Sequence, residues 1–417
     1  MAETFIRSIL ESSTDIKLRE YCKLSSADKL AYKISYSYSN PNPYKMLQTN
    51  GEKTIIIRNK AMFDKIAYSG SLGFAESYMD GDWDTENLEL ILYSLMLKED
   101  EIENEIKSQP MQALYSFLSS MFSTGENTSL NSIETSKSNI SHHYDIGNDL
   151  YKIMLDKRMQ YTCAYFYKDN MSLDEAQLAK MDLVAKKLNL QPGMSVVDIG
   201  CGFGGMAYHL AKNYNVRVTG VTLSKEQAAY ANKYFRHPNV KIIFKDYRHL
   251  DSTDGDKGVF DRVYSIGILE HIGRQNYQEY YDKCYSILKP NGIMVVHAIG
   301  IAYSGPWVHN SFISKYIFPE GELPRLKDLS KKFIDKWHIE DMQNFGLSYA
   351  KTLRCWRNNI KKWEGLDKYS ERFRRMWDFY LLGCAARFER KDMYLWQFVY
   401  TKHNNTRPDD LHHIRKC

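Results

Sequence analysis

Residues 195–206 read SVVDIGCGFGGM, with glycines at 200, 202, 204 and 205, and run on into the helical pattern Met206-Ala207-Tyr208-His209-Leu210-Ala211. Residues 196–199 form a short apolar run bounded by a turn signal, the pattern of a buried strand. Without Cβ atoms the backbone that follows can fold back sharply and bring a ligand against the N–H groups that open the helix. The stretch reads as a cofactor loop.

The neighbours decide which cofactor. Gly200, Gly202 and Gly205 satisfy G-x-G-x-x-G, a weak pattern alone. The dinucleotide fingerprint also wants an acid about 20 residues on, at the end of the second strand. Here the second strand, 216–221, ends in Thr222-Leu223-Ser224, with no acid. Asp198 stands before the loop instead, giving D-x-G-x-G-x-G, an arrangement similar to that of S-adenosylmethionine-dependent methyltransferases. That cofactor carries an ammonium group and no pyrophosphate, so a nearby carboxylate makes sense. The plain alternative is a glycine turn between an ordinary strand and helix.

At 417 residues the chain exceeds one typical domain, so two are expected. No apolar run approaches the roughly 18 residues of a membrane span, and Met1-Ala2-Glu3-Thr4 does not resemble a signal peptide, so a cytoplasmic location is expected. The seven cysteines (22, 163, 201, 284, 355, 384, 417) are scattered and never spaced C-x-x-C. They read as reduced thiols, with no disulfide framework and no metal site expected. Charge is uneven: residues 1–140 hold 14 Lys+Arg against 20 Asp+Glu, or −6, and the remainder 42 against 31, or +11. A basic half suits an anionic partner, nucleic acid or an acidic membrane surface, and equally a set of solvated helix faces.

Along the chain, residues 1–122 mix short strands such as 53–58 with helical stretches such as 88–97. They include G-F-A-E-S-Y-M-D-G-D-W (73–83), an aromatic and acidic turn without an assignable chemistry. Residues 123–141 are polar and aperiodic and read as a linker. From 142 to 417 a second domain alternates strands near 195–199, 216–221, 240–244, 260–266 and 293–299 with helical patterns, and closes with a strand at 395–400. Such alternation implies an α/β fold with a mainly parallel sheet covered on both faces. Residues 349–390 form two amphipathic helices, expected as a lid on this core.

The segments HHYDIGNDLY (142–151), MQYTCAYF (159–166), VVDIGCGFGGMA (196–207), GVTLSKEQ (220–227), LEHIG (269–273), KYIFPEGELP (315–324) and NFGLSYAKTL (344–353) together resemble the bacterial cyclopropane-fatty-acyl-phospholipid synthases. ESYMDGDWD (76–84) resembles their N-terminal accessory domain. The resemblance implies a Rossmann-like class I methyltransferase fold, a seven-stranded, mainly parallel sheet with a helical lid, plus a small α+β domain for lipid binding or dimerisation. It implies S-adenosylmethionine as cofactor and a phospholipid with an unsaturated acyl chain as substrate. The alkene attacks the sulfonium methyl, and a bound bicarbonate removes a proton as the ring closes. A homodimer, peripheral on the inner face of an anionic membrane, is also implied.

Carried over residue by residue, the resemblance places bicarbonate at Cys163, Glu270, His297, the backbone of Ile299, and Tyr349. It places the cofactor at Tyr161, Thr162, Asp198, Gly200, Gly202, Gly204, Thr222, Leu223 and Gln227, with Tyr247 near the adenine. Glu, His, Tyr and Cys supply both donors and acceptors for an oxyanion without a metal. Taken singly, Cys163 reads as a buried small hydrophobe and His297 as a satisfied core histidine. Two departures stand out: Phe203 where relatives commonly carry Trp, and a long loop at 251–258.

The runner-up function is a fatty-acid methyltransferase of the same fold that adds a methyl branch without closing the ring. A nucleic-acid enzyme is disfavoured, because no RNA-recognition motif, helix-turn-helix or zinc-finger pattern occurs. Residues 351–392 hold 12 Lys+Arg against 6 Asp+Glu, interleaved with Trp356, Trp363, Phe373, Trp377, Phe379 and Tyr380. That stretch, with Arg374 and Arg375 at its centre, is expected to dock on anionic headgroups; the alternative is that its aromatics pack inward.

Overall fold

A computed structural model of the chain describes residues 2–25, 52–98, 102, 147–250, 260–301, 311–319, 321–329 and 335–403. The linker at 123–141, residues 142–146 of the HHYDIGNDLY segment, the long loop at 251–258 and the tail beyond 403 lie outside the described residues.

The chain divides into two compact units. One comprises Met1–Ser129, Val308–Ile317 and Leu353–Arg390; the other comprises Leu130–Trp307, Phe318–Thr352 and Lys391–Cys417. In the first, β1 (Lys17–Glu20), β2 (Thr54–Ile57) and β3 (Trp83–Asp84) form a three-stranded sheet in that order, parallel then antiparallel.

The second unit holds a seven-stranded sheet. Its strands are β4 (Ser195–Ile199), β5 (Arg217–Thr222), β6 (Val240–Phe244), β7 (Phe260–Ile266), β8 (Leu288–Ile301), β9 (Trp337–Asn344) and β10 (Met393–Lys402), in the order β6-β5-β4-β7-β8-β10-β9. The first five in that order run parallel, and β10 pairs antiparallel with both β8 and β9. Alternate residues serve opposite faces. Val197, Ile199, Val263, Met294 and Val296 pack with Tyr277, Tyr280, Tyr281 and Cys284 of the Tyr277–Ile287 helix. Val196, Tyr264, Ile293 and Val295 pack with Met181, Val184, Met206 and Leu210 of the Leu173–Lys187 and Gly205–Tyr214 helices. Both faces are apolar because both are covered, which places the usable edge at the carboxyl ends of the parallel strands.

The strands expected from sequence are present, some shifted or lengthened by a few residues, but β9 was not expected. Its residues, WHIEDMQN, are polar at most positions, and it lies at the sheet edge with only Trp337 and Asp341 buried, so neither an apolar run nor a clean alternation marks it.

The late helices differ more. The Glu371–Arg390 helix belongs to the same compact unit as the N-terminal segment, with Leu382 and Ala386 in one core with Ile55, Phe74, Tyr78, Trp83 and Leu92. The reason is electrostatic as much as apolar. Arg354, fully buried, is held by Glu89 at 2.6 Å and Glu389 at 2.8 Å, and Arg375 by Asp84 at 2.7 Å. The 73–83 turn finds its role here. Tyr78 lies under the Arg375 guanidinium at 4.0 Å, the carbonyls of Tyr78 and Trp83 accept from Arg375, and Asp80 accepts from Arg372 at 2.7 Å.

This overturns the docking expectation for residues 351–392. Trp356, Trp363, Trp377 and Tyr380 are buried, and Phe379 packs on Phe74 and Tyr78. Arg375 is buried, and Arg374 donates to the carbonyls of Tyr369 and Leu366 while lying over Trp363. Arg354 and Arg375, which periodicity reads as part of a solvated face, are internal ties, while Lys361, Lys362, Lys368 and Arg372 are exposed. Replacing Glu89 alone by Met should lower stability by about 3–5 kcal/mol in denaturant unfolding, because it strands a buried guanidinium. Replacing Glu89 and Arg354 together by Met should lower it less.

Candidate active site

The glycine loop has the close-approach geometry its sequence implies. The N–H groups of Gly200 and Cys201 both donate to the carbonyl of Val221 at 2.9 Å, pinning the loop to the end of β5. Gly202 has φ +53° and a Cβ built there meets nothing within 4 Å, so the space before the loop is open. At Gly205, by contrast, a Cβ would lie 1.9 Å from the carbonyl oxygen of Arg158, so any side chain would displace the backbone. The two glycines have different duties: one faces open space, the other lets residues 158–160 cross the start of the helix.

Beyond β5, the Thr222 hydroxyl donates to Gln227 Oε1 at 2.9 Å, and the Ser224 hydroxyl caps the Lys225–Tyr234 helix by accepting from the Gln227 N–H. Gln227 therefore has its NH2 group left to offer a hydroxyl-bearing ligand. Leu223, Tyr161, Thr162 and Tyr247 are half-buried. Phe203 sits among Tyr151 at 5.6 Å and Tyr230 at 5.3 Å, so this ring is held by an aromatic cluster.

Asp198 has a partner within the protein. It is buried in β4, and its Oδ2 accepts from the Tyr264 hydroxyl at 2.7 Å. Burial pushes its carboxyl up to about 7, against the lowering effect of that bond. The protein itself thus supplies a partner for a carboxylate that the loop pattern reserves for an ammonium group.

The second group of residues converges at the ends of β7, β8 and β10. Glu270 opens the Leu269–Ile272 helix after β7, and its Oε1 accepts from the Ile299 N–H of β8 at 2.6 Å. Cys163, Leu183, Phe345 and Leu395 form a small core on which Tyr165, Ile299 and Tyr349 pack. The His297 ring meets Phe345 at 5.7 Å and receives the Gln397 amide at Nδ1, 3.1 Å away. With the Gln397 NH2 donating to Nδ1 the neutral imidazole carries its proton on Nε2, and with that amide turned Nδ1–H donates and Nε2 accepts. The Gly346–Ile360 helix ties in the segment that carries Cys163, because Thr352 Oγ1 accepts from the Ala164 N–H at 3.0 Å and Ser348 Oγ from the Phe166 N–H at 3.2 Å.

Two polar atoms in this group, Glu270 Oε2 and His297 Nε2, are buried without a hydrogen-bond partner among the described residues. An orphaned buried polar atom is costly and is rarely left so without cause. Burial pushes Glu270 up to about 7, holds His297 well below its ordinary value and raises the Cys163 thiol well above its own. Near neutrality the site therefore holds a half-titrated carboxyl, a neutral imidazole and a neutral thiol. That donor and acceptor set fits a small oxyanion such as bicarbonate. Among the described residues no cluster of His, Cys, Asp or Glu could hold a metal ion.

Sequence reasoning missed several buried polar groups beside this site: Lys180 and Gln177 on the Leu173–Lys187 helix, Gln160, and Gln397 on β10. Their signal was available, since each is a polar residue at an apolar-facing position of its element.

A seven-stranded sheet of this order, with a glycine loop after β4 and an open approach at Gly202, defines an S-adenosylmethionine-dependent methyltransferase of Rossmann-like fold. The profile of the family described as mycolic acid cyclopropane synthetase matches residues 131–398. The chain belongs to that family. It is 39% identical over 354 residues to the cyclopropane-fatty-acyl-phospholipid synthase of Escherichia coli (strain K12), covering 84% of this chain and 87% of the relative. The cyclopropane synthase MmaA2 from Mycobacterium tuberculosis superposes with TM-score 0.59 at 30% identity, covering 64% of this chain and 98% of the other. The mycolic acid cyclopropane synthase CmaA1, solved with SAH and CTAB, gives TM-score 0.58 at 30% identity with the same coverage of each chain. Among the described residues no helix is long and apolar enough to cross a membrane.

The elevated Glu270 has a stability signature. Its value rises from 4.5 unfolded to about 7 folded, so its contribution is fully present below pH 4.5 and is lost as pH rises through about 7. Glu270→Gln should therefore gain stability relative to the parent, by up to about 3 kcal/mol, between pH 4.5 and about pH 8 in ligand-free denaturant titrations. A pH-independent difference would mean the carboxyl is not buried as described.

Proposed function

We propose that this protein transfers a methylene group from S-adenosylmethionine to the cis double bond of an unsaturated phospholipid acyl chain, closing a cyclopropane ring, with bicarbonate as the base. The observation that carries the reading is the pair of orphaned buried atoms, Glu270 Oε2 and His297 Nε2, beside Cys163 and Tyr349. The chemistry that the resemblance implies ends in the loss of a proton, for which an anion held at these atoms would be the acceptor.

When bound, S-adenosylmethionine supplies an electrophilic methyl group on a sulfonium. Tyr161, Thr162, Asp198, Gly200, Gly202, Gly204, Thr222, Leu223, Gln227 and Tyr247 would hold it, with the Tyr264 hydroxyl fixing the Asp198 carboxyl. A bicarbonate held by Cys163, Glu270, His297, Ile299 and Tyr349 supplies a base that the chain's own groups do not. In its Nε2–H tautomer His297 donates a hydrogen bond to such an anion, and Glu270 Oε2 accepts or donates according to its protonation. The Ile299 N–H holds the carboxyl through Oε1, which orients Glu270 beside the Ile299 backbone. Cys163, raised by burial, stays a neutral thiol and does not compete as a nucleophile for the methyl group. The half-buried rings of Tyr165 and Tyr349 help exclude water, so that a cationic acyl chain loses its proton instead of gaining a hydroxyl.

Contact with an anionic bilayer belongs to this reading, through a surface other than Arg374 and Arg375. The test is the mass of the acyl chains after incubation with S-adenosylmethionine and phosphatidylglycerol vesicles bearing cis-monounsaturated chains. A gain of one CH2 with loss of the alkene signal and appearance of ring-methylene resonances is expected. A methyl branch carrying additional hydrogen or oxygen would establish the fatty-acid methyltransferase reading instead.

A further inference from the structure

Lys180 is fully buried on the Leu173–Lys187 helix, and no carboxylate lies within salt-bridge distance of it among the described residues. A buried lysine that only stabilises a fold is normally paired with an acid. Lys180 instead donates to two neutral oxygens, Gln160 Oε1 at 2.8 Å and Thr162 Oγ1 at 2.9 Å. One turn earlier on the same face, Gln177 Nε2 donates to the carbonyls of Thr162 at 2.7 Å and Gln160 at 3.4 Å. Together the two side chains grip residues 160–162 by backbone and side chain.

The gripped segment joins the two halves of the site. At one end it crosses the start of the cofactor-loop helix, because the Arg158 carbonyl and Gln160 Nε2 are the atoms a Cβ at Gly205 would strike, at 1.9 and 3.1 Å. Gln160 Nε2 also donates to the Arg158 carbonyl at 3.1 Å, and Asp156 fixes the turn by accepting from the Gln160 N–H at 2.8 Å. Met159, between them, has φ +55°, a backbone state held only when the surroundings impose it. At the other end Thr162 leads directly into Cys163 and its small core.

We propose that Lys180 is a positioning residue: through Gln160 and Thr162 it sets the spacing between the cofactor loop and the Cys163–Glu270–His297 group, and its charge favours an anion there. The inference rests on the function proposed above. Burial brings the Lys180 ammonium down to about 8, so it is mostly charged at neutral pH and loses its proton just above it. The other groups acting on it are Asp156, Cys163 and Asp198, and its charge in turn opposes protonation of His297.

Lys180→Met removes the donor at nearly constant length, and Thr162→Val removes one acceptor while leaving Lys180 in place. Each should keep a thermal midpoint close to that of the parent. Each should bind S-adenosylhomocysteine about tenfold more weakly by calorimetry, since Tyr161 and Thr162 shift together. Turnover on phosphatidylglycerol vesicles should fall by about 100-fold in Lys180→Met, and an alkaline limb near pH 8, expected in the parent, should be lost. The double variant should be no worse than Lys180→Met. Parental affinity and pH profile in Lys180→Met would overturn the proposal, as would strictly additive losses in the double variant. If Lys180→Met fails to fold, Thr162→Val decides on the same readouts. A parent that binds S-adenosylhomocysteine but forms no cyclopropane would instead refute the proposed function, and the calorimetry would still judge Lys180.

Discussion

The hydrogen bond from the Ile299 N–H to Glu270 Oε1 is the contact on which the site depends. It joins the helix after β7 to the end of β8, and it satisfies one carboxyl oxygen while leaving the other buried and without a partner. A carboxyl so placed cannot ionise freely, because desolvation outweighs a single backbone donor. The same apolar packing that raises Glu270 keeps His297 neutral and Cys163 protonated. One cause therefore sets three protonation states. The result is a site whose donors and acceptors suit the oxyanion proposed as the base.

That arrangement stands against the way the other unit uses charge. There Arg354 and Arg375 are also buried, yet each has a carboxylate within 3 Å, and the ion pairs tie distant parts of the sequence into one core. Buried charges paired with acids tie that unit together, whereas the buried polar groups of the site lack an ion-pair partner. Lys180 belongs with the second kind: it is charged, buried and bonded only to neutral oxygens.

The parts of the molecule legible in the sequence are those governed by local rules. Residues 195–206 announce a strand, a turn and a helix through short-range steric needs, and β4, β6 and β7 follow from apolar runs bounded by turns. Cys163, Glu270, His297, Ile299 and Tyr349 could be nominated only through resemblance, because their meeting depends on sheet order rather than on spacing. What stayed hidden needed long-range information. The basic, aromatic stretch around Arg375 looks amphipathic whether its partner is solvent, lipid or Asp84, and only the fold names the partner. The bond from Tyr264 to Asp198 was hidden because nothing near Asp198 in sequence announces Tyr264. Strand β9 was missed because an edge strand with polar residues lacks the alternation that betrays a covered one.

The central claim, that this chain's buried polar atoms hold a bicarbonate that serves as the base, is most directly tested by titrating bicarbonate against turnover of the unmodified protein. The assay uses buffer stripped of carbon dioxide, with S-adenosylmethionine and unsaturated phosphatidylglycerol vesicles saturating. The account expects turnover to fall by about 100-fold in the stripped buffer and to return along a saturating curve as bicarbonate is added. Turnover that is unchanged without bicarbonate would contradict it, and would assign the proton to Glu270 itself.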